Sequence, residues 1–176
     1  MKEKQYDRQK VVEYAKKWAY LRNPAYYNFD PVGGDCTNFA SQCIFAGAGV
    51  MNYNKNGWYY RSGNDKSASW SGVEYLYKFL INNKGVGPYA EETDLKNIKI
   101  GDIAQLSFDG NKFAHTLLIV NKIEPVTQSN TFVATHTFDS YGRSITSYNF
   151  KKIRYLHIIG INFHMVVKED IPKSNG

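Results

Sequence analysis

Thiols and imidazoles are the side chains of this sequence best suited to nucleophilic chemistry. It holds two cysteines, Cys36 and Cys43, and four histidines, His115, His136, His157 and His164. Cys36 lies in VGGDCTNFASQCIF (residues 32–45), where two glycines and an acid lead into a run with one apolar helical face. A helix N-terminus offers unpaired N–H groups and the positive end of the helix dipole, which push a thiol toward its nucleophilic thiolate. Cys36 at the first helical position, capped by Asp35, fits that use. Gly33 and Gly34 leave room for a substrate to approach. Cys43 falls mid-helix on the apolar side and reads as a small buried hydrophobe. The cysteines are two turns apart, about 10 Å of rise, too far for a disulfide.

A nucleophile needs a base. His115 opens AHTLLIV and His136 closes TFVATHT; paired as a hairpin about a turn near residues 123–129, they become cross-strand neighbours aimed at the Cys36 helix. The expected triad is Cys36 as nucleophile, His115 as base and His136 as the group that orients it, with Asp139 second choice for the third role. His157 and His164 read as half-buried strand histidines bonded to backbone. The chemistry is acyl transfer: thiolate attack on an amide carbonyl, protonation of the leaving amine by His115, then hydrolysis of the thioester. The Cys36 N–H would stabilise the oxyanion, with Tyr26 or Tyr27 as second donor; packing under the helix is as good a reading of those tyrosines. Trp58, in the polar loop at 52–69, lines a groove or joins the core. Asn38 fills substrate space or bonds the Asp35 cap.

Apolar periodicity predicts helices over 7–20, from Asp35 to about Ala46, and from Ser71, where Ser71 and Glu74 have capping-box spacing. Residues 88–100 read as an irregular connector. From Gly101 the period becomes two, giving strands at 102–108, in KFAHTLLIVNKIE, in TFVATHT and in RYLHIIGINFH, with SYGRS (140–144) as a turn. Helices first and an antiparallel sheet after them mean α+β. The chain reads as one domain over 1–176, with its core at about 7–164 and a frayed tail at 168–176.

Aromatic content of 15% supports a core without metals or disulfides. Net charge is +6, but the lysines are scattered, which argues against nucleic acid and suits another anionic partner. No run of about 18 apolar residues spans a membrane. Neither a zinc-type spacing nor a phosphate loop is present, so no metal or cofactor is expected.

The ordered blocks GGDCTNFASQCIFAGAG, WYY, SWSGVEYLYKFL, GDIAQL, AHTLLIV and HTFD resemble the amidase-domain family of Firmicutes, related to the NlpC/P60 papain-like cell-wall hydrolases. The likeness runs from about residue 7 to 164. It implies a papain-like core with the cysteine helix packed on an antiparallel sheet, roles for Cys36, His115 and His136 matching those above, and amide or peptide bonds of peptidoglycan as substrate. Asn38 replaces a glycine usual in NlpC/P60, and the tyrosine that precedes the cysteine there is displaced here to Tyr26 or Tyr27. The resemblance implies an extracellular or cell-wall monomer of a Gram-positive bacterium, with the cytoplasm as the other location. Two other readings are a wall-binding module and a thiol acyl hydrolase or transferase acting on a non-wall amide.

Overall fold

The computed structural model describes residues 1–165. In chain order the elements are β1 (Lys2–Lys4), α1 (Arg8–Trp18), α2 (Cys36–Ala48), α3 (Ala68–Ser71), α4 (Val73–Asn82), β2 (Gly87–Thr93), β3 (Ile103–Ser107), β4 (His115–Lys122), β5 (Thr131–Thr135), β6 (Ser140–Ser144) and β7 (Lys152–Phe163). The strands form one sheet in the order β1-β7-β3-β4-β5-β6, with β2 on the other edge of β7. Every pairing is antiparallel. The architecture is α+β, as the change of period predicts.

Strand alternation divides the core into two layers. Ile103, Leu118, Val120, Ala134, Leu156 and Ile158 face the helices and pack with Val11, Phe39, Ile44, Trp70 and Leu80. Ala104, Leu106, Leu117, Ile119, Val133 and Ile145 form the opposite layer. Burying one such aliphatic or aromatic side chain contributes about 1.5–3 kcal/mol.

Helix α2 is the centre of the helical layer, and even its polar residues Thr37, Asn38, Ser41 and Gln42 are buried. Each is paired. Thr37 Oγ1 shares a hydrogen bond with Thr116 Oγ1 at 2.9 Å, Ser41 Oγ accepts from Trp58 Nε1 at 3.0 Å, and Gln42 Oε1 accepts from the Tyr14 hydroxyl at 2.7 Å. Leaving any of them unpaired would cost about 1–3 kcal/mol. α1 crosses α2 at Gly47, where a Cβ would stand 2.5 Å from Val11 Cγ2, so only glycine fits there. Asp7 caps α1 as expected, accepting from the Lys10 N–H at 3.1 Å.

Several elements differ from the sequence expectation. β2 occupies part of the expected connector, because Gly87–Thr93 pairs with β7, whose partner residues lie 62 to 75 positions further along the chain. β1 also finds its partner only in β7. SYGRS is strand β6: the turn falls earlier, at residues 136–139, and Gly142 absorbs a φ of 77° beside a register shift. The third helix is two, broken at Gly72, and α4 begins without the expected side-chain cap. The expected tail at 168–176 lies outside the described residues.

Candidate active site

Cys36 is the first residue of α2 and is buried, with 7% of its surface exposed. Its sulfur lies 3.7 Å from Thr37 Oγ1, which in turn lies 2.9 Å from Thr116 Oγ1 at the start of β4. Burial pushes the thiol above its ordinary pKa; the Thr116 and Thr37 hydrogen bonds pull the other way and are outweighed. The resting thiolate expected from the helix N-terminus is therefore not what this environment favours. Desolvation outweighs the helix start. Cys43 is fully buried on the apolar face, and both thiols are free.

His115 opens β4, one residue before Thr116, whose hydroxyl meets that of Thr37 on α2. Its ring lies between Phe108 and Tyr148, with centroids 6.3 and 5.8 Å away. Desolvation, reinforced by the positive charge of Arg143, lowers its pKa to about 4, so the ring is neutral at pH 7. Among the described residues no hydrogen bond joins the ring to Cys36 or to another side chain. The ring faces a cleft of about 510 Å³, whose walls include Phe108, Thr137, Phe138, Arg143 and Asn149. Arg143 lies 3.8 Å over the Tyr148 ring, and its Nε donates to Ser147 Oγ at 2.6 Å.

His136 does not stand beside the His115 ring. Leu118 pairs with Ala134, and that register continued places Thr116, not His115, opposite His136. Residue parity then turns His136 toward the helices and His115 toward the other face. The His136 ring stacks on Phe39 with centroids 4.1 Å apart. Nδ1 lies 2.6 Å from Asp35 Oδ2, and Nε2 lies 2.8 Å from the Trp18 carbonyl oxygen. Both nitrogens are engaged, by the Asp35 carboxylate and the Trp18 carbonyl, and neither is left to orient His115.

Asp35 occupies the N-cap position without using its side chain as a cap. Its buried carboxylate accepts instead from the Phe29 N–H at 2.9 Å, from Asn38 Nδ2 at 2.8 Å and from His136. Asn38 thus bonds the Asp35 carboxylate, and its own Oδ1 accepts from Trp70 Nε1 at 2.8 Å. Arg22 reaches toward Asp35 at 3.8 Å, binds Asp30, and holds both oxygens of Asp139 at 2.9 Å. Asp139 is therefore engaged away from His115. The Asp35 N–H donates to Thr137 Oγ1 at 3.0 Å, which ties the turn after β5 to the start of α2. Gly34 has φ +106°, and a Cβ there would meet Thr137 Oγ1 at 3.1 Å.

The aromatic candidates fall elsewhere. Trp58 is fully buried and packs on Trp70, so it lines no groove. Tyr26 stacks on Trp70 and contacts Tyr60, and burial raises its hydroxyl to about 12. Tyr27 is half exposed and packs edge-on to Phe29. Among the described residues neither tyrosine hydroxyl makes a hydrogen bond to Cys36 or His115. His157 bonds a carboxylate, Asp102 Oδ2 at 2.8 Å, rather than backbone, and His164 is exposed. Sequence reasoning did not single out Arg22, Thr116, Thr137 or Arg143. Their roles depend on contacts between distant segments that no local pattern encodes.

Residues 5–159 match the family described as "Putative amidase domain", and the chain belongs to that family. The designation suggests amide hydrolysis at a general level. Uncharacterized protein YhbB of Bacillus subtilis (strain 168) is 34% identical over 164 residues, covering 88% of this chain and 51% of its own length. The chain thus spans about half the length of the curated relative it matches. No solved structure matches. Among the described residues no helix is long and apolar enough to cross a membrane.

Proposed function

We propose that this member of the amidase family is a cysteine amidase or peptidase acting on peptide or amide bonds of peptidoglycan, with a papain-like arrangement related to NlpC/P60. The observation that carries the reading is the meeting of α2 with the start of β4. Thr37, next to Cys36, shares a hydrogen bond of 2.9 Å with Thr116, and the adjacent His115 presents a neutral imidazole to an open cleft. A cysteine-bearing helix packed on an antiparallel sheet is also what a papain-like core requires.

In this mechanism thiol and imidazole are both neutral at rest. His115 takes the Cys36 proton as the sulfur attacks the amide carbonyl, so the thiolate forms only as it is consumed. The Cys36 backbone N–H, one of the unpaired donors at the start of α2, faces the developing oxyanion. The tetrahedral intermediate collapses to a thioester as the protonated imidazole gives its proton to the leaving amine. A water molecule, deprotonated by His115, then attacks the thioester and releases the acid and the free thiol. The mechanism requires the His115 ring, which opens β4 on the face away from α2, to turn past the start of the strand to reach Cys36 in the substrate complex. His136 and Asp35 act as positioning residues: they tie the start of α2 to Trp18 and to the end of β5.

The test is wild type against Cys36→Ala on purified cell walls, with released amines and fragments identified by mass spectrometry. Fragments from wild type alone support the reading and identify the bond. Equal release by both proteins, or none by either, overturns it.

A further inference from the structure

A second cavity, of about 640 Å³, lies between α4 and the loop at 52–57 and shares no lining residue with the His115 cleft. Its walls carry Lys55, Lys78 and Lys84 and no aspartate or glutamate. Among the described residues none of these lysines forms an ion pair. The acids close by in sequence are engaged elsewhere: Asp65 with Arg61 at 3.3 Å, and Glu74 with Arg154 at 2.8 Å.

The walls are held in place. Buried Asn52 donates from Nδ2 to the Val86 carbonyl at 2.9 Å, accepts from the Asn54 N–H at 3.0 Å, and exchanges two backbone hydrogen bonds of 2.8 Å with Trp58. Asn83 Nδ2 donates to the Val86 and Pro88 carbonyls, and its Oδ1 accepts from the Gly85 N–H. Between these fixed loops, the side-chain amides of Asn54 and Asn56 make no hydrogen bond among the described residues. Tyr75 adds a phenol ring that is 61% exposed, on the same face of α4 as Lys78. A rigid shell therefore displays three cations, free carboxamides and one aromatic face.

We infer that this cavity binds an acidic saccharide. Carboxylate or phosphate substituents meet the lysines, ring hydroxyls meet the carboxamides, and a sugar face stacks on Tyr75. The site stands apart from the chemistry at Cys36 and does not depend on the reading of that site.

The experiment is isothermal titration of the whole chain at low salt with three probes: oligogalacturonate, neutral dextran and polyphosphate. Oligogalacturonate should bind most tightly. A Lys55→Gln, Lys78→Gln, Lys84→Gln variant should lose at least tenfold in affinity. A Lys16→Gln, Lys112→Gln, Lys152→Gln variant, with the same net charge, should lose less than twofold. Tyr75→Ala should weaken oligogalacturonate severalfold and leave polyphosphate unaffected. The inference is overturned if wild type binds no oligogalacturonate, if dextran or polyphosphate binds as tightly, or if both triple variants lose equally. Circular dichroism of each variant separates lost binding from lost folding.

Discussion

His115 makes acid sensitivity a test of the site's architecture. An imidazole in the unfolded chain titrates near 6.5, whereas in the fold desolvation and Arg143 lower it to about 4. Between those two values the unfolded chain binds the extra proton, so stability falls as pH falls. Above about pH 6.5 the ring is neutral in both states and nothing is lost. At about 1.36 kcal/mol per pH decade, the full descent to pH 4 removes about 3 kcal/mol, a large share of the 5–15 kcal/mol that holds a domain folded. The perturbation is His115→Gln, which keeps a polar side chain of similar reach and cannot charge. At pH 7 it should cost about 1–2 kcal/mol through lost packing against Phe108 and Tyr148. Urea unfolding of both proteins at pH 7, 6, 5 and 4 gives the difference in stability at each pH. The remaining titratable groups behave alike in both proteins and cancel. The difference should move by about 3 kcal/mol in favour of the variant between pH 7 and 4, so the variant becomes the more acid-resistant protein. A difference constant with pH would refute the claim that the fold holds His115 neutral, and with it the neutral-pair mechanism.

Three further outcomes follow from the same contacts. His136→Ala removes a buried ring that stacks on Phe39 and bridges Asp35 to the Trp18 carbonyl, and should cost about 3–5 kcal/mol in urea unfolding, the range for deleting a large buried aromatic ring; a loss under 1 kcal/mol would contradict its positioning role. In a Cys43→Ala background, Cys36 should be alkylated by iodoacetamide more slowly than glutathione at pH 7.5 and should speed up from pH 6 to 9, because burial holds the thiol protonated; a fast, pH-independent rate would show a preformed thiolate. Phe138 is 85% exposed with φ 62°, so Phe138→Gly should stabilise the fold by about 1 kcal/mol by relieving backbone strain at little burial cost; thermal unfolding would show the opposite sign if that conformation were unstrained.

What was legible in the sequence was whatever rests on local repetition. The glycine pair, the acid and the apolar period place Cys36 at the start of a helix, and alternation places His115 at the start of a strand. What was not legible rests on parity and on distant partners. A single-residue difference in the pairing of β4 with β5 decides whether His136 faces His115 or the helices, and the two outcomes have the same composition. Asp35 reads from its position as a cap, but its carboxylate is claimed by Phe29, Asn38 and His136. Arg22 shows no local signal, since its partners Asp30 and Asp139 come from two separate loops. Trp58 sits in a polar loop and is nonetheless fully buried, because its indole N–H reaches Ser41 on α2. The two histidines of the expected triad therefore separate by environment. His115 is desolvated, borders a cleft and, among the described residues, makes no hydrogen bond to a side chain. His136 is saturated by acceptors, as a ring must be if it is to hold the helix that presents the thiol.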